Sequence, residues 1–492
     1  MRASLRVPAL LPTALLFISL VFHSACSSHY ENADLPSSLE LGSPRGYQIA
    51  RTITHFHSPY SWDACDKNGR PGGVVNQECL QHLRDAMCHN RIDFLFLSDH
   101  PDAMAQYEFT DLLLNDSSKG DVLTYRAGTP YTNLMKGCSN AHETQALVGF
   151  EGKLLGLGMT QHLAGTPDAR GQAYGGEDNS LVTLIQDGST VDGMVFVPHT
   201  EGWTIDKLLP LKPNGIEIYN VHANLDPKIR KTYLHLPPFE AIPSVITYLI
   251  DPMGSLTPDF MFAGFVTVHP VYFQRWNQLI EARGTTGVNP VGIGASDSHE
   301  NVFKQKGSDG ERLDAHRRLT RFMSNHVLVN SLDPDLMKTA LKQGRSWLVF
   351  EGFGSPVGMD FSAELSGGSV RGVGETGTLS GGSATLTVKM PTLHHLSPGL
   401  RDPKNVSGLS PVEPGRQPQM RIELKRVGVD GADEVVASAS GGNLTFQTTQ
   451  AGAYRAEIYI RPLHLNELLR PFEDLSENEY HWIITNHIYL DP

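Results

Sequence analysis

The stretch Thr52–Asp63, TITHFHSPYSWD, decides the reading of this chain. A short apolar run ends in His55 and His57, and in an extended segment residues two apart project to the same face. The same grammar recurs downstream: Asp99 and His100 close DFLFLSDH, Glu151 follows LVGF, His199 closes MVFVPH, and Asp297 and His299 lie in VGIGASDSHE. A parallel strand buried on both faces reads as a continuous apolar run, and α/β folds place functional groups where such strands end. Neutral imidazole and carboxylate suit divalent zinc, manganese and iron, and a carboxylate can bridge two ions. One His-x-His pair says little in a chain with 21 histidines. The ordered series across separate strand ends says much more.

In order and approximate spacing the series resembles the polymerase and histidinol phosphatase (PHP) family of metal-dependent phosphoesterases, across residues 51 to 300. His55, His57, His100, Glu151, Asp297 and His299 correspond directly to that family's ligands. Asp63 falls where members carry a third histidine or an aspartate soon after the first pair. His162 resembles the histidine that follows the bridging glutamate in the branch acting on small nucleotide phosphates. His199 looks like the mid-barrel ligand. His222, after the strand GIEIYN, is a further candidate, and Glu217, inside that strand, a poorer one. The resemblance implies an α/β fold, a distorted (β/α)7 TIM-like barrel, with two or three divalent metal ions (Mn, Zn or Fe) bridged by Glu151 and a hydroxide. Thr54 stands where the family commonly carries an aspartate before His-x-His, and Pro101 follows Asp99–His100; neither departure removes a ligand. The closer resemblance is to exported members with a β-domain after the barrel.

At 492 residues the chain exceeds one ordinary domain, so two are expected. Residues 1–26 read as an export signal: Arg2 and Arg6 precede an apolar segment, Val7–Phe22, ending at Ser24-Ala25-Cys26. The segment is too short and too interrupted by prolines for a membrane span. Cys26 followed by Ser27 and Ser28 points to a periplasmic or outer-membrane bacterial lipoprotein, anchored only by lipid at that thiol; ordinary secretion is the alternative. Cys65, Cys79, Cys88 and Cys138 remain, an even number that favours two disulfides over free thiols in an exported chain. Residues 76–90 read as a helix, which puts Cys79 and Cys88 about 13 Å apart along its axis and on opposite sides. They cannot bridge each other, so each pairs with Cys65 or Cys138, in one of two ways.

Residues 27–50 are polar and contain Pro and Ser, the composition of a tether. The barrel is expected over 51–350, with strand-like runs at 92–98, 146–150, 193–198, 214–219 and 290–295 alternating with helix-like stretches such as 76–90 and 333–343. Residues 166–179, TPDARGQAYGGEDN, read as a loop on the ligand side. Residues 225–285 form an apolar, proline-rich insertion, either a wall of the substrate cleft or a packing element; His269 within it reads as structural. From 351 to 492, short alternating runs separated by Gly, Ser and Asp read as a smaller all-β sandwich domain without a catalytic constellation.

Formal net charge is −13, with no basic run, which disfavours a nucleic-acid polymer as partner and leaves a small phosphorylated substrate. The leading expectation is metal-assisted hydrolysis of a phosphate mono- or diester, with Asp63 or His299 protonating the leaving oxygen. Arg70, Lys306, Arg317 and Arg318 are cations near the motifs, and RLDAHRRLTRF reads as an amphipathic helix whose arginines face water. Two other classes compete: an amidohydrolase-type hydrolase, which would favour a lysine at a strand end, and a non-catalytic envelope-binding lipoprotein.

Overall fold

The computed structural model describes residues 31–188, 191–240, 245–248, 256–394, 400–401, 416–469 and 472–492. The export signal and Cys26 lie outside the described residues.

The apolar runs form the strands that carry the site. Gln48–Ile53 pairs in parallel with Phe94–Phe96, which pairs in parallel with Thr144–Glu151. Met194–Val197 runs parallel to Gly215–Asn220, and that strand to Val291–Ala295. Most of these residues are buried, as strands covered on both faces must be. The expected strand–helix rhythm breaks in several places. Thr144–Glu151 turns back into Leu155–Met159 as an antiparallel hairpin, and Ser324–Val329 lies antiparallel to both Gln48–Ile53 and Ser346–Val349. The protein is thus a mixed α/β fold with parallel strands beside antiparallel ones and a separate small antiparallel sheet.

Helix Gln77–Asn90 begins where Asn76 accepts hydrogen bonds from the Glu78 and Cys79 amides, at 3.1 and 3.2 Å. It buries Leu80, Leu83, Ala86 and Met87, one helical face, against the sheet. Its two cysteines leave in opposite directions: Cys79 bonds Cys65 and Cys88 bonds Cys138, with Cα separations of 5.9 and 5.4 Å. That resolves the choice of pairings which the sequence leaves open.

Several local expectations change. Residues 31–47 are no free tether: Leu35 and Leu41 are buried, and the Leu35 amide donates to the His89 carbonyl at 2.9 Å. The supposed loop at 166–179 contains helix Pro167–Tyr174, capped by Thr166, with Pro at its start and glycines after its end. Of the insertion, the described part packs: Phe260, Phe262 and Phe265 are buried, and helix Pro270–Glu281 buries Trp276, with His269 capping its first turn. The arginines of helix His316–Phe322 do not face water. Arg317, Arg318 and Arg321 are buried around the Asp259 carboxylate, which burial would push up but these guanidiniums hold far below the carboxylate range.

The C-terminal third contributes a separate four-stranded antiparallel sheet, Val370–Gly372, Asp360–Leu365, Ala384–Lys389 and Leu444–Thr448 in that spatial order. Other C-terminal strands join the main sheet, since Tyr480–Thr485 pairs antiparallel with Ser346–Val349. Asn486 completes the junction. Its side chain accepts from the Gly292 amide at 2.8 Å and donates to the Gly292 carbonyl at 3.0 Å, and Asn325 treats Gly294 the same way at 2.9 and 2.8 Å. Two amide side chains therefore pair the free edge of Val291–Ala295 where no backbone neighbour does.

Candidate metal centre

The strand ends converge. Asp297 donates its amide to the His55 carbonyl at 3.0 Å and His57 donates its amide to Ser298 at 3.1 Å, so the first and last ligand segments are laced together by backbone. Two ligand groups result, one of His55, His57, Glu151 and Asp297, and one of His57, Asp63, His100 and His299. His57 is common to both. In the first, His55 Nε2 lies 3.2 Å from Asp297 Oδ1 and 3.5 Å from Glu151 Oε2, while His57 Nε2 lies 3.3 Å from Glu151 Oε2. In the second, Asp63 Oδ2 stands 3.2 Å from both His100 Nε2 and His299 Nε2. His199 Nε2 joins the first group's carboxylates, 3.2 Å from Glu151 and 3.4 Å from Asp297.

The orientation of the rings shows what they are built for. His55 Nδ1 faces Glu217 Oε1 at 2.6 Å, His100 Nδ1 the Glu151 carbonyl at 3.2 Å, and His299 Nδ1 the Asp297 carbonyl at 2.9 Å. These oxygens only accept, so each Nδ1 carries the proton and each Nε2 offers its lone pair inward. His57 Nδ1 meets Ser61 Oγ at 2.9 Å, a hydroxyl able to donate or accept. The Nε2 atoms of His55 and His57 then face each other at 3.2 Å. Lone pairs aimed at one another and at carboxylates repel unless a proton or a metal ion stands among them. The buried Asp63 Oδ1 and Asp297 Oδ1 have no hydrogen-bond partner, which fits an ion better than a sealed polar core.

Electrostatics agree. Burial alone would depress His57, but the Asp297 and Glu151 carboxylates outweigh it and raise the imidazole to about 9. Burial opposes charge on His55 and His199 too, yet the same carboxylates hold both well above the ordinary imidazole range. Glu151 and Asp297, which burial would push up, are pulled well below the carboxylate range by the surrounding imidazoles. Without metal the cluster balances its carboxylates with protons; a divalent ion displaces those protons. His199 and Asp297 also take left-handed backbone, φ 48° and 50°, strain of about 1–2 kcal/mol each of the kind that collects at functional sites.

The remaining expected residues fall into place or away. His222 lines the same cavity but belongs to neither ligand group, its ring centroid 5.9 Å from that of His299. His162 does not join the site: Nε2 faces the Tyr107 carbonyl at 2.9 Å, Nδ1 faces the Tyr174 hydroxyl at 3.3 Å, and the ring packs on Phe109. Both its nitrogens are engaged, so the spacing that resembled a ligand reflects packing. Asp99 turns from the two ligand groups to hold Ser58, accepting from its amide and hydroxyl at 2.7 and 2.6 Å. Arg317 and Arg318 are engaged with Asp259, Arg70 stacks on Tyr60 and Tyr107, and Lys306 lines a different groove. The cations at the cavity mouth are Lys153 and Lys207.

Glu217 matters more than its sequence position conveyed. Besides orienting His55 it accepts from the His199 amide at 2.9 Å and from Asn220 Nδ2 at 3.0 Å. A carboxylate inside the wholly buried strand GIEIYN was the available signal. Two other acidic groupings are not metal sites: Cys79 beside Glu300 and His316 is in a disulfide, and Asp259 with Asp309 and Glu311 is neutralised by arginines.

The fold and site thus define a mixed α/β protein with buried His/Asp/Glu clusters able to hold metal ions. No protein-family profile and no curated protein matches the chain. A solved structure similar to it is a two-domain protein of Bacteroides vulgatus described as containing a predicted PHP-like metal-dependent phosphoesterase, with 11% identity and TM-score 0.31 over 87% of this chain and 93% of that one. At that score the likeness establishes neither fold nor activity.

Proposed function

We propose that the protein is an exported, metal-dependent phosphoesterase of PHP type, a distorted (β/α)7 barrel with an appended β-sandwich. The observation that carries this reading is the pair of ligand groups sharing His57, whose Nε2 lone pairs converge on Glu151, Asp297 and Asp63. His55, His57, Glu151 and Asp297 would hold one divalent ion and His57, Asp63, His100 and His299 a second, with His199 beside Glu151. Mn, Zn or Fe ions bound there supply Lewis acidity and a water acidified toward neutral pH. The chain's own part is positional: Glu217 and two backbone carbonyls fix the tautomers of His55, His100 and His299, Ser61 orients His57, and the cavity of about 450 Å³ over the ligands admits a phosphoryl group.

Asp63 and His299 were the first candidates for protonating the leaving oxygen. Both sit inside the second ligand group, so that role passes to His222, an imidazole on the cavity wall outside either group. An amidohydrolase reading lacks a lysine among the ligands, and an envelope-binding reading leaves the converging lone pairs without purpose. The two disulfides accord with export to an oxidising compartment.

The test is elemental analysis of the purified protein, together with hydrolysis of aryl phosphate mono- and diesters, for wild type and His57→Ala. Two or three ions per chain in the wild type are expected, with ions and hydrolysis lost in the variant. Metal without hydrolysis of either ester would reject the phosphoesterase reading; no metal after metal-replete purification would reject the centre itself.

A further inference from the structure

The ligands do not lie at the bottom of one blind pocket. Two clefts open from them in different directions and share only His100, Glu151, Gly152 and Lys153. The first, about 870 Å³, runs between Trp62 and helix Pro167–Tyr174. The second, about 450 Å³, runs past His199 to Trp203, Lys207 and Tyr233. Each carries an aromatic wall in the open. Trp62 is 56% exposed and stacks on His100, ring centroids 5.6 Å apart and planes 27° apart; Tyr233 is 44% exposed. Large exposed aromatic side chains at a cleft are costly to leave wet and suited to cover flat apolar groups.

Side-chain charge around the ligands is sparse. The cavity carries Glu177 and Glu201 besides the ligand carboxylates, Lys153 and Lys207 line it at the exposed rim, and Lys67 lies over the Trp62 ring at 5.7 Å. The positive charge facing phosphorus would come chiefly from the ions the centre would hold, so selectivity rests on the two clefts.

Resting on the phosphoesterase reading above, we propose that the substrate is a phosphodiester monoanion with a flat apolar group on either side of phosphorus, one arm in each cleft. A monoester needs one arm and would leave a cleft empty; a diester carries two, leaving phosphorus in divergent directions. In the reaction water adds its oxygen to phosphorus and one P–O ester bond breaks. One water proton leaves with the departing oxygen as an alcohol, and the other stays on the phosphate monoester. Trp62 and Tyr233 act here as specificity determinants and take no part in bond making.

The experiment measures calorimetric dissociation constants on the metal-loaded full-length protein for two inert anions. Dibenzylphosphinate mimics a diester and benzylphosphonate a monoester. Dibenzylphosphinate should bind about tenfold more tightly, and Trp62→Ala and Tyr233→Ala should each shrink that preference about fivefold. Trp62→Phe, which keeps a ring over His100, should retain most of it, and metal content is checked in every variant. Bis(4-nitrophenyl) phosphate should correspondingly be cleaved faster than 4-nitrophenyl phosphate. Benzylphosphonate binding as well or better, or a preference unmoved in both alanine variants, would overturn the diester assignment while leaving the phosphoesterase reading intact. Binding of neither anion would remove that reading and the inference with it.

Discussion

The backbone N–H of Cys65 donates to the carbonyl of His299 at 2.9 Å, and Asp66 repeats the bond to Glu300 at the same distance. The loop bearing Asp63 is thereby sewn to the loop bearing His299, two ligands of one group. Cys65, Asp66 and Lys67 reach this position through three successive left-handed residues, φ 53°, 58° and 62°, a conformation that costs about 1–2 kcal/mol per non-glycine residue. The Cys65–Cys79 bond holds that segment to helix Gln77–Asn90.

Removing that bond should therefore strip one ligand group and spare the other. In Cys65→Ser/Cys79→Ser, bound metal should fall by about one ion per chain, because His55, Glu151 and Asp297 do not depend on the loop. Closing a loop of this size contributes about 3 kcal/mol of stability, so denaturant unfolding should show a comparable loss. Unchanged stoichiometry would show that Asp63 is placed without the disulfide.

Glu217 acts on the metals through His55. Glu217→Gln keeps the shape but removes the charge that fixes the Nδ1 proton, and about a 10- to 100-fold loss of metal affinity is expected. Competition with a chromophoric chelator reads this directly. Asn220 and the His199 amide lose an acceptor of full charge in the same variant, so the loss should fall on the group of His55, Glu151 and Asp297.

His464 should make the protein acid-sensitive. Burial pushes its imidazole down to about 4, only partly offset by the hydrogen bond to the Phe353 carbonyl. The unfolded chain, titrating near 6.5, takes up the proton first, so this contribution is complete above that pH and lost as pH falls toward 4. Between pH 7 and 5 the loss should reach about 2 kcal/mol. His316, also pushed to about 4 by burial, adds in the same window. Urea unfolding of His464→Gln at the two pH values should show a smaller drop than wild type.

Asp259 holds three arginines in the interior, Arg317, Arg318 and Arg321. Asp259→Ala removes the carboxylate all three share, leaving Arg317 to Glu311 and Arg318 to Asp309, and a loss of about 3 kcal/mol, the lower end for a broken buried pair, is expected. Metal content at a temperature below the lowered melting point should stay at the wild-type value, since none of these residues touches a ligand.

The clustering was legible because strand ends are where chemistry and hydrophobicity part company: His55, His57, His100, Glu151, Asp297 and His299 each follow an apolar run and all come together. What stayed hidden was whatever depends on distant partners. Arg317 and Arg318 have helical spacing that would suit a solvated face, and nothing nearby in sequence announces Asp259. His162 sits at a ligand-like spacing, but Tyr107 and Tyr174 claim its nitrogens. Glu217 looked structural because it is inside a strand, and it is indeed no ligand, yet it orients one. Helix geometry eliminated one cysteine pairing and left two; only the three-dimensional path of residues 91–138 chooses between them.

The amide of Asn486 closes the edge of the strand that leads into Asp297 and His299, from 194 residues further along the chain. During synthesis the ligands therefore exist on the polypeptide long before the strand beneath them can be finished. A ribosome-bound intermediate would present Val291–Ala295 as an open edge, a surface that invites pairing with other chains. Gly215–Asn220 and Asn325 hold that strand from earlier in the chain, and the pairing of Gly292 is added last, when Asn486 arrives, so a chain cut short of residue 486 would leave this one stretch of edge open beneath the ligands.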